Sequence, residues 1–121
     1  MAQTILVIDD EYFVLAMLED ILGARGYKVL TANRASAGMY EAIYSHPSLI
    51  FLDIILPDKD GLTLLAELTA HERTRRIPVV LMSSLSRAAS LNSAGAAAYL
   101  QKPLNPDEVV SLVGRLLAPS P

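Results

Sequence analysis

Five short runs suited to β-strands, at residues 5–8, 28–32, 49–52, 77–82 and 97–100, alternate with segments of helical spacing along the chain. The first, Ile5-Leu6-Val7-Ile8, is apolar at every position. A strand with one wet face alternates apolar and polar residues, so an unbroken apolar run predicts a strand covered on both faces. Such strands separated by helices predict a doubly wound α/β domain, with right-handed crossovers and a largely parallel sheet. No internal repeat or second domain is visible. A length of 121 residues suits one domain over residues 1–121, and 52% apolar composition is enough to fill its core.

The helical segments carry their own boundaries. Residues 12–25 show helical spacing, Gly26 supplies a C-terminal stop, and Asp20 turns the expected buried face toward Val14, Leu18 and Leu22. Asn33 is expected to cap the next helix, which runs to about His46 and ends at Pro47. Further helices are expected over residues 61–71 and over 86–94, the latter closed by Gly95. The best-signalled start is Asn105-Pro106-Asp107-Glu108. It combines an N-cap, a first-turn proline and two acids at the positive end of the helix dipole, ahead of residues 109–117. Residues 118–121 are expected to form a tail or the stub of a linker.

Composition narrows the chemistry. The absence of cysteine removes disulfides and thiolate catalysis, and two histidines leave little for a zinc site. A formal charge of -3 offers no general attraction to nucleic acid, and the one basic cluster, Arg73, Arg75 and Arg76, reads as a solvated connection. The N-terminus has no basic region ahead of its apolar residues, and no stretch approaches roughly eighteen continuous apolar residues. Neither a signal peptide nor a membrane span is expected, and a cytoplasmic location fits best.

In doubly wound sheets, ligands bind beyond the carboxyl ends of the strands. Asp9 and Asp10 follow the first run, Asp53 the third, Ser83 the fourth and Lys102 the fifth. Carboxylates brought together there repel one another unless a cation intervenes. Magnesium suits them, because it prefers oxygen ligands, retains several waters and commonly takes one or two carboxylates plus a phosphate oxygen. The adjacent pair Asp9 and Asp10 is better suited to the metal. Asp53, standing alone, is the better nucleophile, able to accept a phosphoryl group as an acyl phosphate. Lys102 is expected to meet the transferred oxygens as a point charge, and Ser83 to report their arrival through one hydrogen bond. Three carboxylates, a dication and one ammonium balance to zero, so an added phosphoryl group supplies a switching force.

These motifs resemble the receiver domains of response regulators in two-component phosphorelays. The resemblance covers residues from about Thr4 to Leu117. It rests on Asp9-Asp10, on the stretch from Asp53 through Pro57 to Gly61, on Ser83 after a hydrophobic run, and on Gly95 through Tyr99 to Lys102-Pro103. It implies a flavodoxin-like strand order, 2-1-3-4-5, with helices on both faces. It further implies Asp53 as phosphoacceptor and Mg2+ held by Asp9, Asp10, Asp53 and the backbone carbonyl of Ile55. Lys102 would pair with the phosphoryl group, Ser83 would be the switch hydroxyl, and Tyr99 the aromatic whose rotamer follows it. The Lys102-Pro103 peptide is expected to be cis. The implied phosphodonor is a histidine kinase or a histidine phosphotransfer protein, and the implied readers are an effector domain or protein, or a second copy in a homodimer. Neither nucleic acid nor membrane is an expected direct partner. Self-catalysed phosphorylation and slow hydrolysis are implied as well, in a molecule that is mainly a signalling switch. Against the family's usual pattern, the span from Ser83 to Gly95 is shorter by roughly three residues, nearly one helical turn. Ser84 also makes the switch serine one of a pair.

Two other readings share these residues. One is a receiver-like binding module that works without phosphorylation. The other is a phosphohydrolase with a similar carboxylate site, which would need an acid shortly after Asp53, where Ile54 and Ile55 stand.

Overall fold

The computed structural model describes residues 2–84 and 95–118. Strands β1 (Thr4–Ile8), β2 (Lys28–Ala32), β3 (Leu49–Asp53), β4 (Val79–Ser83) and β5 (Ala98–Gln101) form one sheet in the order β2-β1-β3-β4-β5, parallel throughout. The described helices are α1 (Tyr12–Gly23), α2 (Ala35–Ser45), α3 (Gly61–Ala70) and α4 (Pro106–Leu116). None of them is long and apolar enough to cross a membrane.

Alternate residues of each central strand serve different cores. Leu6, Ile8, Ile50, Leu52 and Leu81 pack with Ala42 of α2 and Leu64, Leu65 and Leu68 of α3. Ile5, Val7, Phe51, Val80 and Met82 pack with Leu15, Leu18 and Leu22 of α1 and Val109, Leu112 and Val113 of α4. Successive side chains of a strand point to opposite faces, so both must be apolar when helices cover both sides. The edge strands β2 and β5 are only partly buried, which is why their runs contain Lys28, Thr31 and Gln101. Each fully buried Leu, Ile or Val stabilises the fold by about 1.5–3 kcal/mol, so these two layers supply its main driving force.

Most predicted boundaries fall within two residues of those observed, and the differences have local causes. β4 begins at Val79 rather than residue 77 because Pro78 has no amide for the ladder, although its carbonyl accepts from the Ile50 amide at 3.0 Å. α1 ends at Gly23, and the chain turns at Gly26, whose φ of 90° lies in the left-handed region that glycine tolerates. α2 stops at His46, itself left-handed at φ 49° ahead of Pro47. The expected cap at Asn33 is replaced. The N-cap of α2 is Arg34, which provides no side-chain acceptor, and that role falls to Asp58 from another loop. Asn105 caps α4 as expected, its side-chain oxygen accepting from the Glu108 amide at 3.1 Å. The predicted helix over 86–94 and residues 119–121 lie outside the described residues.

Candidate functional site

Backbone pairing at the carboxyl edge sets where each functional side chain starts. Asp9 directly follows β1, and its amide donates to the Ala32 carbonyl at the end of β2, at 3.0 Å. Asp53 and Ser83 are the last residues of β3 and β4, rather than the first residues beyond them. Lys102 follows β5, and its amide donates to the Ser83 carbonyl at 2.7 Å. The Lys102-Pro103 peptide is cis.

The loop after Asp53 is drawn tightly back. The Ile54 amide donates to the Met82 carbonyl at 3.1 Å, and the Gly61 amide donates to the Ile54 carbonyl at 2.6 Å. A Cβ on Gly61 would overlap the Asp53 carbonyl oxygen and lie 2.7 Å from Ile54 Cα. Only glycine allows α3 to start so close to the strand. Asp60 then caps α3 by accepting from the Leu62 amide at 2.7 Å.

The side chains converge on one ammonium. Lys102 Nζ lies 2.7 Å from Asp9 Oδ2, 2.8 Å from Glu11 Oε1 and 3.2 Å from Asp53 Oδ2. Asp9 is fully buried, Asp53 and Ser83 nearly so, while Asp10 and Glu11 are exposed. Burial pushes the Asp9 carboxyl up from 3.8 to about 6. The Lys102 ammonium and the Glu11 amide pull it back down, and the Asp53 charge adds to the rise. For Lys102, burial alone would weaken proton binding, but Asp9, Glu11 and the charge of Asp53 outweigh it and hold the ammonium's pKa above the usual lysine range.

The donor set fits a hard dication. Asp9, Asp10 and Asp53 each offer an oxygen, and these oxygens lie within 4.8 Å of one another. Asp9 Oδ2 meets Lys102 as an ion pair, yet off the direction of a hydrogen bond, so this buried oxygen has no hydrogen-bond donor among the described residues. A buried carboxylate oxygen held by an ion pair alone, beside two other carboxylates, is a ready metal ligand. Ile55 stands next to them, 59% exposed, its amide donating to Asp53 Oδ1 at 3.2 Å.

Glu11 is the residue that the sequence reading missed. The expected balance counted three carboxylates, whereas four acids belong to this edge, so a dication and Lys102 leave one negative charge. Its signal was its place directly after the acidic pair, as an N-cap of α1 that makes no capping bond. Tyr99 is half-buried, opposite Leu81 in register and packed on the core that α2 and α3 cover. Beside Lys102, Phe13, Met17, Leu104 and Pro106 line an apolar cavity of about 590 Å³.

A family model described as the response regulator receiver domain matches residues 5–114. The chemotaxis protein CheY of Bacillus subtilis is 32% identical over 119 residues, covering 97% of this chain and 99% of CheY. The transcriptional regulatory protein KdpE of Staphylococcus aureus is 34% identical over 112 residues, covering 90% of this chain. The chain spans 47% of the length of KdpE, and about half or less of several other curated relatives. Among solved structures, the receiver domain of a sensor histidine kinase from Pseudomonas aeruginosa, with a magnesium ion coordinated in its active-site cleft, matches with a TM-score of 0.88. Its identity is 25%, and the match covers 98% of this chain and 100% of that one. Strand order, the edge that gathers the acids and Lys102, and the family match coincide over the same stretch of sequence, and the chain belongs to the response regulator receiver domain family.

Proposed function

We propose that Asp53 is the phosphoacceptor of a signalling switch, fed by a phosphohistidine on a histidine kinase or a histidine phosphotransfer protein. A bond forms between an Asp53 carboxylate oxygen and phosphorus as the bond from phosphorus to the donor imidazole breaks. The imidazole leaves neutral, carrying a proton on its other ring nitrogen. Asp9, Asp10, Asp53 and the Ile55 carbonyl are the groups that would hold Mg2+. When bound, that ion neutralises phosphoryl oxygens and offsets the repulsion of the acids. Lys102 exchanges part of its contact with Asp9 for the transferred oxygens. Ser83 donates a hydrogen bond to the phosphoryl group, and Tyr99 follows the space Ser83 vacates, altering the surface read by an effector or a second copy. The same edge catalyses the slow hydrolysis that resets the switch.

The observation that carries this reading is the meeting of Lys102 with Asp53 at 3.2 Å and Asp9 at 2.7 Å, with Asp10 within the same 4.8 Å cluster. Tyr12 and Phe13, 82% and 75% exposed at the start of α1, support docking of the phosphodonor beside that edge. The likeness to a histidine kinase's receiver domain supports the same class of donor. The test is incubation with a small phosphodonor such as acetyl phosphate, followed by mass measurement and location of the modified residue. One phosphoryl group on Asp53 is expected with magnesium, and none with chelator or in Asp53→Asn. A folded sample that stays unlabelled counts against phosphotransfer, and partner affinity unchanged by Asp53→Asn would favour a phosphorylation-independent module.

A further inference from the structure

The loop after the phosphoacceptor is tied to a helix it does not lead into. Asp58 Oδ1 accepts from the Ala35 amide at 2.7 Å, and Oδ2 accepts from the Ser36 amide at 3.0 Å, across 23 and 22 residues of sequence. These are the first two amides of α2, which have no carbonyl partner inside the helix. Arg34, at the N-cap, offers no side-chain acceptor to them. The two amides hold the Asp58 carboxyl below the usual carboxylate range, as expected for a carboxylate accepting two charge-assisted hydrogen bonds.

The other polar side-chain ties of this loop lead to α3. Lys59 pairs with Glu67 at 2.7 Å, but both side chains are more than a third exposed, and pairs of that kind contribute little in water. Asp60 caps α3. Ile54 is anchored through its main chain to Met82 and Gly61. Ile55 lies between the Ile54 anchor and Asp58, exposed, with one long bond from its amide to Asp53 Oδ1. Leu56, next to Ile55, is buried in the core that α2 and α3 cover, and Asp58 adds the hydrogen bonds that tie this segment to the first turn of α2.

We propose that Asp58 is a positioning residue: by clamping the loop to the first turn of α2, it fixes the Ile55 main chain and, through it, the Asp53 carboxylate and the metal shell. The clamp is a matter of geometry alone, while its effect on magnesium rests on the phosphoacceptor reading above. Amide hydrogen exchange on the metal-free wild type, Asp58→Asn and Asp58→Ala, with magnesium titration of the same samples, separates the two.

In Asp58→Ala, exchange is expected to quicken about tenfold at Ala35 and Ser36 and about fivefold at Ile55, with Asp58→Asn in between because it keeps one carbonyl oxygen. The Kd for magnesium should rise about fivefold. Faster exchange confined to Ala35 and Ser36 would reduce Asp58 to a helix cap and overturn the proposal. So would a loosened Ile55 with unchanged affinity in a wild type that binds magnesium. A wild type that binds none would defeat the phosphoacceptor reading, and exchange at Ile55 would still decide the clamp.

Discussion

The ammonium of Lys102, after the last strand, lies 2.7 Å from an oxygen of Asp9, after the first, and that oxygen belongs to a residue with no exposed surface. The pair compensates a charge that would otherwise be stranded in the protein interior. Removing one partner of such a pair costs far more than the pair itself contributes, because the remaining ion keeps its desolvation penalty.

Lys102→Met should therefore destabilise the metal-free fold by about 3 kcal/mol near neutral pH. The loss should shrink near pH 5, where the unpaired Asp9 takes up a proton. Urea midpoints at the two pH values check this, and an equal loss at both would mean that Lys102 acts through packing.

Asp9 holds its proton more tightly in the folded protein, at about 6, than the ordinary 3.8. Across that window the folded state keeps a proton that the unfolded chain has lost, so metal-free stability falls as pH rises from about 4 to 6 and then levels. Lys102, whose affinity for its proton is raised, keeps its contribution throughout this window and loses it only above the usual lysine range. Magnesium needs the ionised carboxylate, so its apparent affinity should drop about tenfold per pH unit below 6. Calorimetric titrations on both sides of that value provide the check, and a flat profile would place Asp9 outside the metal shell.

Asp53→Asn removes a negative charge beside Asp9 while keeping an oxygen for the Ile55 amide. The metal-free fold should gain about 1 kcal/mol, because like charges in one site raise each other's cost. Urea unfolding in chelator measures it. A loss would show that contact with Lys102 outweighs repulsion from Asp9.

Two glycines should respond in opposite directions to alanine. Gly61→Ala drives a methyl into the main chain of Asp53 and Ile54 and should cost roughly 3 kcal/mol, with weaker labelling of Asp53. Gly114→Ala, within α4 and with open space around the new atom, should gain up to about 1 kcal/mol. Thermal or urea unfolding of the two variants together tests both signs.

Neighbouring side chains were enough to mark β2 residue for residue and to identify Val14, Leu18 and Leu22 as the buried side of α1. They also marked Asn105 as a cap. Periodicity, ring constraints and capping act over a few residues, so they survive in the linear order of the chain. The same order placed Asp9, Asp53, Ser83 and Lys102 near strand ends, and hence near one edge. Asn33 and Glu11 mark where this stops. Asn33 is a good intrinsic cap, yet α2 starts beyond it because Asp58 brings acceptors from a distant loop. Glu11 has no distinct role in the linear order, and only the fold brings its oxygen to 2.8 Å from the Lys102 ammonium.

Local chemistry along the chain thus settled which segments become strands and helices, and that acids would gather at their ends. Packing settled which charges meet: Lys102 with Asp9, Glu11 and Asp53, and Asp58 with the amides of α2. Coulombic and hydrogen-bond energies depend on separations of a few ångströms, and those separations are set by strand order and loop path rather than by distance along the chain.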